Sequence, residues 1–77
     1  MTMNELGEGL YQAEMAKLES ETVEARAILK VYFGKPVGIG ECSDLLVEID
    51  KYTEKLAQAE NKMESLKKNF GHGERIT

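Results

Sequence analysis

Mostly apolar side chains recur at alternating spacings of four and three residues in two long stretches of the chain. The first set is Tyr11, Met15, Leu18, Thr22, Ala25, Leu29 and Tyr32, and the second is Leu45, Ile49, Tyr52, Leu56, Ala59, Met63, Leu66 and Phe70. Seven residues span two turns of an α-helix, so each set forms one stripe along a helix, as in the seam of a coiled coil. The pattern predicts two long amphipathic helices.

The segment between the two seams contains residues that interrupt a helix. It reads Gly34-Lys35-Pro36-Val37-Gly38-Ile39-Gly40. Pro36 has no backbone N–H to donate in a helix, and Gly34 suits the left-handed conformation that follows many helix ends. The chain must therefore turn here and lay the second seam along the first. We expect an all-α fold, an antiparallel two-helix hairpin with coiled-coil-like packing.

Glycines and capping residues indicate where the helices begin and end. The first helix starts near Asn4 or Gly9, because glycine weakens a helix interior. Ser43 or Asp44 can accept a hydrogen bond from the first turn of the second helix, and Gly71 can end it. We predict one domain, residues 1–77, with a helix over about 4–33, a loop over 34–43, a helix over about 44–70 and a tail over 71–77.

The size and composition of the chain favour oligomerisation. A hairpin of 77 residues buries little apolar surface by itself. One cysteine and one histidine cannot form an internal disulfide or a tetrahedral zinc site, so we expect no metal and no cofactor. The sequence has no run of about 18 apolar residues and no secretory leader, which favours a cytoplasmic protein without membrane contact.

The charge of the chain is unevenly distributed. A net charge of −4 and a pI near 5.0 argue against nucleic-acid binding, which needs surplus positive charge. Acidic residues dominate before residue 30, whereas Lys62, Lys67 and Lys68 lie near the end of the second helix. These regions meet in an antiparallel hairpin, so we expect their charges to complement each other. Helical spacing predicts further ion pairs for Glu48–Lys51, Glu64–Lys67 and Glu64–Lys68.

The first helix carries a second row of small and apolar residues opposite its seam. This row, which we call the outer face, consists of Leu6, Leu10, Ala13, Ser20, Ala27 and Val31. Its small residues would let another helix approach closely. We therefore expect a homo-oligomer formed through the first helix, either a two-fold four-helix bundle or a larger assembly. In the alternative interpretation these residues are exposed on a monomer, as single surface alanines often are.

A glycine-rich loop with nearby lysines is the candidate site for a small anionic ligand. Its residues are Lys30, Lys35, Gly38, Gly40 and Ser43. Glycines leave backbone N–H groups accessible and lysines add positive charge, as in an anion cradle. However, the segment lacks the Walker pattern, and Glu41 and Asp44 place negative charge beside it. A purely structural turn is the competing interpretation.

Residues with catalytic chemistry are separated along the predicted hairpin. Cys42 lies near the start of the second helix, where the helix dipole favours a thiolate. His72 follows the other end of that helix, so we expect no catalytic pair of the two residues within one protomer. We predict that the protein is not an enzyme.

The central part of the chain resembles a group of viral proteins. The run Tyr32-Phe33-Gly34-Lys35-Pro36-Val37-Gly38-Ile39-Gly40-Glu41, followed by Asp44-Leu45-Leu46-Val47-Glu48, is similar to small uncharacterised helical proteins of tailed bacteriophages. The resemblance carries no motif of assigned chemistry. It implies an accessory protein that acts in the host cytoplasm by stoichiometric binding of a host protein or of a nucleotide signal.

Two functional hypotheses follow from these observations. In the first, the chain is a non-enzymatic, homo-oligomeric helical protein that acts by binding a protein partner, whose identity the sequence does not specify. In the alternative, it sequesters a nucleotide or cyclic nucleotide with the glycine-rich loop and its lysines.

Overall fold

A computed structural model describes residues 4–34 and 42–71, and within these ranges the protein is a pair of long helices. Helix α1 spans Glu5–Gly34 and helix α2 spans Cys42–Phe70. The two helices contact each other along a rod whose principal extents are 55 × 20 × 15 Å. The prediction of an all-α helical hairpin is confirmed.

Helix α1 begins where the side chain of Asn4 caps it. The Asn4 Oδ1 atom accepts a hydrogen bond of 2.7 Å from the backbone N–H of Gly7, which otherwise would have no partner within the helix. Glu5 and Glu8 place negative charge in the first turn, where the helix dipole is positive. These interactions start the helix at its earlier predicted limit, and Gly9 lies within it.

The limits of the helices at the turn differ from the predicted ones. Gly34 is the last residue of α1, and none of the described glycines has a positive φ, so the predicted left-handed Gly34 is wrong. Helix α2 begins at Cys42, which places Ser43 and Asp44 inside its first turn and not at a capping position. In that position the negative charge of Asp44 interacts favourably with the positive end of the helix dipole. The predictions for residues 35–41 lie outside the described residues.

The core lies in the middle of the hairpin and is narrow. Its buried residues are Leu18, Thr22, Ala25 and Leu29 of α1 and Ala59 of α2, all from the predicted seams. The hydroxyl of Thr22 donates a hydrogen bond of 2.7 Å to the carbonyl oxygen of Glu19, so its burial leaves no unpaired polar group. Because Ala25 and Ala59 are fully covered, the helices approach each other closely at these small side chains.

The ends of the hairpin are less well covered than its middle. The rings of Tyr32 and Tyr52 lie 6.3 Å apart between centroids, within the range of favourable aromatic pairs. At the opposite end, Phe70 is 47% exposed, so its predicted place in the buried seam is wrong. Phe70 is the last residue of α2, and side chains at the end of a helix have fewer neighbours than those in its middle.

We expect Ala59→Leu to destabilise the hairpin because the larger side chain has no room between the helices. The change should lower the free energy of unfolding by about 1–3 kcal/mol, measured by urea denaturation followed by circular dichroism. Ala57→Leu is the matched control, since Ala57 is exposed on the same helix and its replacement should change stability by less than about 0.5 kcal/mol. Equal effects of the two variants would contradict the described packing.

Gly71→Ala should also destabilise the protein, because Gly71 packs tightly where α2 ends. Its N–H donates to the carbonyl oxygen of Lys67 at 3.0 Å. An added Cβ would lie 2.6 Å from Tyr11 Oη and 2.8 Å from Lys67 Cα. We expect a loss of about 1–3 kcal/mol in urea denaturation. Gly9→Ala is the control: nothing lies within 4 Å of an added Cβ there. It should stabilise the helix by about 1 kcal/mol, and stabilisation by both variants would refute the close contact at Gly71.

Candidate interaction surfaces

The outer face of α1 is exposed along its whole length in a single protomer. Leu6 is 72% exposed, and Leu10 and Val31 are each 64% exposed. The three small residues between them, Ala13, Ser20 and Ala27, are exposed as well. The structure therefore places all six predicted interface residues on the surface, away from the face that α1 buries against α2. Whether a second copy covers them stays a prediction.

A second group of exposed apolar residues lies where the two helices meet the turn. We call Phe33, Leu46 and Val47 the turn-end cluster, and each of them is more than 60% exposed. Phe33 belongs to the last turn of α1, and the other two belong to the first turns of α2. Large apolar side chains in such a position are typical of surfaces that contact another molecule.

The turn-end cluster was not predicted from the sequence, although the sequence contains a signal for it. Leu45, Leu46 and Val47 are consecutive, and successive residues on a helix are about 100° apart. Only one of three such residues can face the partner helix, and Leu45 takes that place because it belongs to the seam. The other two must then point away from the core. An apolar run that is longer than its seam requires could have predicted the cluster.

The candidate anion site lies mostly outside the described residues. Lys35, Gly38 and Gly40 fall within residues 35–41, for which the structure gives no description. The two remaining residues, Lys30 and Ser43, are exposed near the turn. Cys42 is the first residue of α2, and His72 lies outside the described part of the chain. No contact among the described residues favours an anion at this end of the hairpin.

The charged residues of the hairpin form few direct pairs. Lys55 Nζ lies 3.4 Å from Glu24 Oε1, and this is the one ion pair within 4 Å in residues 4–34 and 42–71. The side chains of Lys55 and Glu24 are 41% and 57% exposed, so water screens the pair and it contributes little stability. The three predicted pairs within α2 are not formed, and Lys51 lies instead 5.4 Å from the centroid of the Tyr52 ring. The lysines near the end of α2 likewise make no direct ion pair with the described acidic residues of α1.

An open groove of about 960 Å³ lies at the end of the hairpin away from the turn. Its lining brings Glu19, Glu60 and Glu64 together with Lys67 and Lys68. This mixture of charges favours neither a cation nor an anion, and the groove is too open to exclude water from a ligand.

Across the described part of the chain, no three His, Cys, Asp or Glu side chains are grouped to hold a metal ion.

Comparison with protein-family models, with curated proteins and with solved structures gave no significant match. The described helices also lack a stretch that is both long and apolar enough to cross a membrane. The functional interpretation therefore rests on the surfaces of the hairpin itself, namely the outer face and the turn-end cluster.

Proposed function

We propose that this protein is a non-enzymatic, homo-oligomeric interaction protein that acts by binding. The observation that carries the proposal is the imbalance between covered and uncovered apolar side chains. Among the described residues, four apolar side chains form the buried core, whereas eight large apolar side chains are more than 45% exposed. A hairpin with so much uncovered apolar surface gains stability when another molecule covers part of it.

The outer face of α1 supports self-association in energetic terms. Two copies of the outer face together contribute about a dozen side chains. If each buries about 30–40 Å² of apolar area, the gross gain in free energy at about 25 cal/mol/Å² is on the order of 10 kcal/mol, before the entropy of association is subtracted. The small residues in the middle of this face allow close approach of a second helix. Two hairpins joined in this way form a four-helix bundle with both α1 helices at its centre.

The turn-end cluster supports a second contact, with a different protein. Phe33, Leu46 and Val47 lie at one end of the hairpin, so association through the length of α1 leaves much of their surface available. Together with the resemblance to small phage proteins, this surface supports a role as a phage accessory protein that binds a host factor stoichiometrically. Binding of this kind needs no catalytic residues.

Ala27→Glu should convert the oligomer into a monomer, because it places a bulky charged side chain at a small-residue position within the proposed interface. The variant should keep its helicity by circular dichroism, since Ala27 is exposed in the protomer. Size-exclusion chromatography with light scattering measures the change in mass. Ala57→Glu introduces the same charge on the exposed side of α2 and should leave the oligomer intact. A wild-type monomer at micromolar concentration would contradict self-association, and equal effects of both variants would contradict the assignment to this face.

Val47→Asp should abolish binding of a protein partner without affecting the oligomer. We expect the wild-type protein, used as bait in extracts of candidate bacterial hosts, to retain a host protein at a fixed molar ratio. The Ala57→Asp variant should retain it as well, because Ala57 lies outside both proposed surfaces. Failure of the wild type to retain any protein at a fixed ratio would contradict the binding function. Equal retention by Val47→Asp would show that the turn-end cluster is not the contact.

A further inference from the structure

We infer that two copies of this chain pack their α1 helices antiparallel, with the two-fold axis near Ser20. This inference rests on the proposed self-association and adds the orientation of the partner, which is a second copy of the chain. Three features of the described α1 surface support it: the spacing of the exposed row, the charges within that row and the charges at the two ends of the helix.

The exposed row of α1 is a complete second seam. Lys17 and Glu24 are exposed and fill the two gaps in the outer face. With them the row reads Leu6, Leu10, Ala13, Lys17, Ser20, Glu24, Ala27 and Val31, with spacings of four and three residues throughout. This is the repeat by which helices supercoil around each other. The face is thus a stripe that a second helix can follow for its whole length.

The charges in the middle of this row distinguish the two possible orientations. In a parallel pair each residue faces its own copy, so two Lys17 side chains and two Glu24 side chains would be forced together in the interface. In an antiparallel pair centred near Ser20, Lys17 lies beside Glu24 of the partner subunit, and this favourable contact occurs twice. Glu24 contacts Lys55 of its own protomer through Oε1, which leaves Oε2 for Lys17 of the partner subunit.

The charges at the two ends of α1 also favour the antiparallel orientation. Residues 5–14 contain Glu5, Glu8 and Glu14 without a lysine or arginine, whereas residues 25–34 contain Arg26 and Lys30 without an acidic residue. An antiparallel pair brings each acidic end beside a basic end and also opposes the two helix dipoles. A parallel pair would bring the two acidic ends together.

The side-chain sizes along the row are compatible with this arrangement. Leu10 lies ten residues before Ser20 and Val31 lies eleven residues after it, which corresponds to about 15 and 16.5 Å along the helix. In the antiparallel pair, Leu10 therefore lies near Val31 of the partner subunit at each end of the interface. The smaller Ala13 and Ala27 lie between these ends and the two-fold axis. Each of the four side chains at these ends is largely exposed in the isolated protomer and becomes covered in the pair.

Cysteine cross-linking tests the orientation directly. Single variants Leu10→Cys, Ser20→Cys and Val31→Cys are made in a Cys42→Ser background and treated with a short bismaleimide linker. We expect Ser20→Cys to cross-link with itself, because this residue lies near the axis. Leu10→Cys and Val31→Cys should each give little product alone, but an equimolar mixture of these two, unfolded and refolded together, should give at least a tenfold higher yield of covalent dimer.

The outcomes separate the orientation from the self-association on which it rests. Efficient cross-linking of Leu10→Cys with itself would show a parallel pair and overturn the inference while leaving the proposed function intact. Absence of covalent dimer from Ser20→Cys and from the mixture, together with a monomeric mass by light scattering, would overturn both. Cross-linking of Ser20→Cys without a product from the mixture would place the contact on this face but reject the antiparallel register.

Discussion

The single interface between α1 and α2 determines how the remaining apolar residues are distributed, because it buries only a few side chains. Leu18, Ala25 and Ala59 are almost completely buried in this interface, and Leu29 is 7% exposed. A pair of helices has only one mutual interface, so each helix can cover only one of its faces in this way. Any further apolar residue on α1 must remain on the surface until another molecule meets it.

Helix α1 carries more apolar side chains than a single interface can cover. Helix α2 carries uncovered apolar side chains only at its two ends. Along α1 the outer face repeats the spacing of the buried seam, so the helix has two stripes on roughly opposite sides. Most of the remaining surface of α2 is charged, which suits contact with water. This difference explains why we assign self-association to α1 and binding of another protein to the turn-end cluster. The outer face and the turn-end cluster are also separate surfaces, so a substitution can change one of them without changing the other.

The sequence was sufficient to predict the fold because the signals for it are local and repeated. Two seams of seven and eight residues, separated by glycines and Pro36, permit few arrangements other than a hairpin. Several of the wrong predictions concern the ends of the helices. Phe70 is 47% exposed because it is the last residue of α2 and has few neighbours there. Helix α2 begins at Cys42, so Ser43 and Asp44 lie within its first turn although both residue types suit a capping position. Ion pairs were predicted from spacing alone, but exposed side chains gain little from pairing and adopt other contacts. The outer face followed from periodicity. The seam also identifies Leu45 as the residue of its apolar run that faces α1, so the exposure of Leu46 and Val47 could have been predicted as well.

The central claim is that the apolar outer face of α1 is covered by a second copy of the chain. The dependence of thermal unfolding on protein concentration tests it most directly, because a dimer gains stability from mass action and a monomer does not. Raising the concentration from about 1 μM to about 100 μM should increase the midpoint of unfolding, with an upper limit of about 2.7 kcal/mol of additional stability per dimer. A midpoint that is the same at both concentrations, with a monomeric mass throughout, would contradict the account.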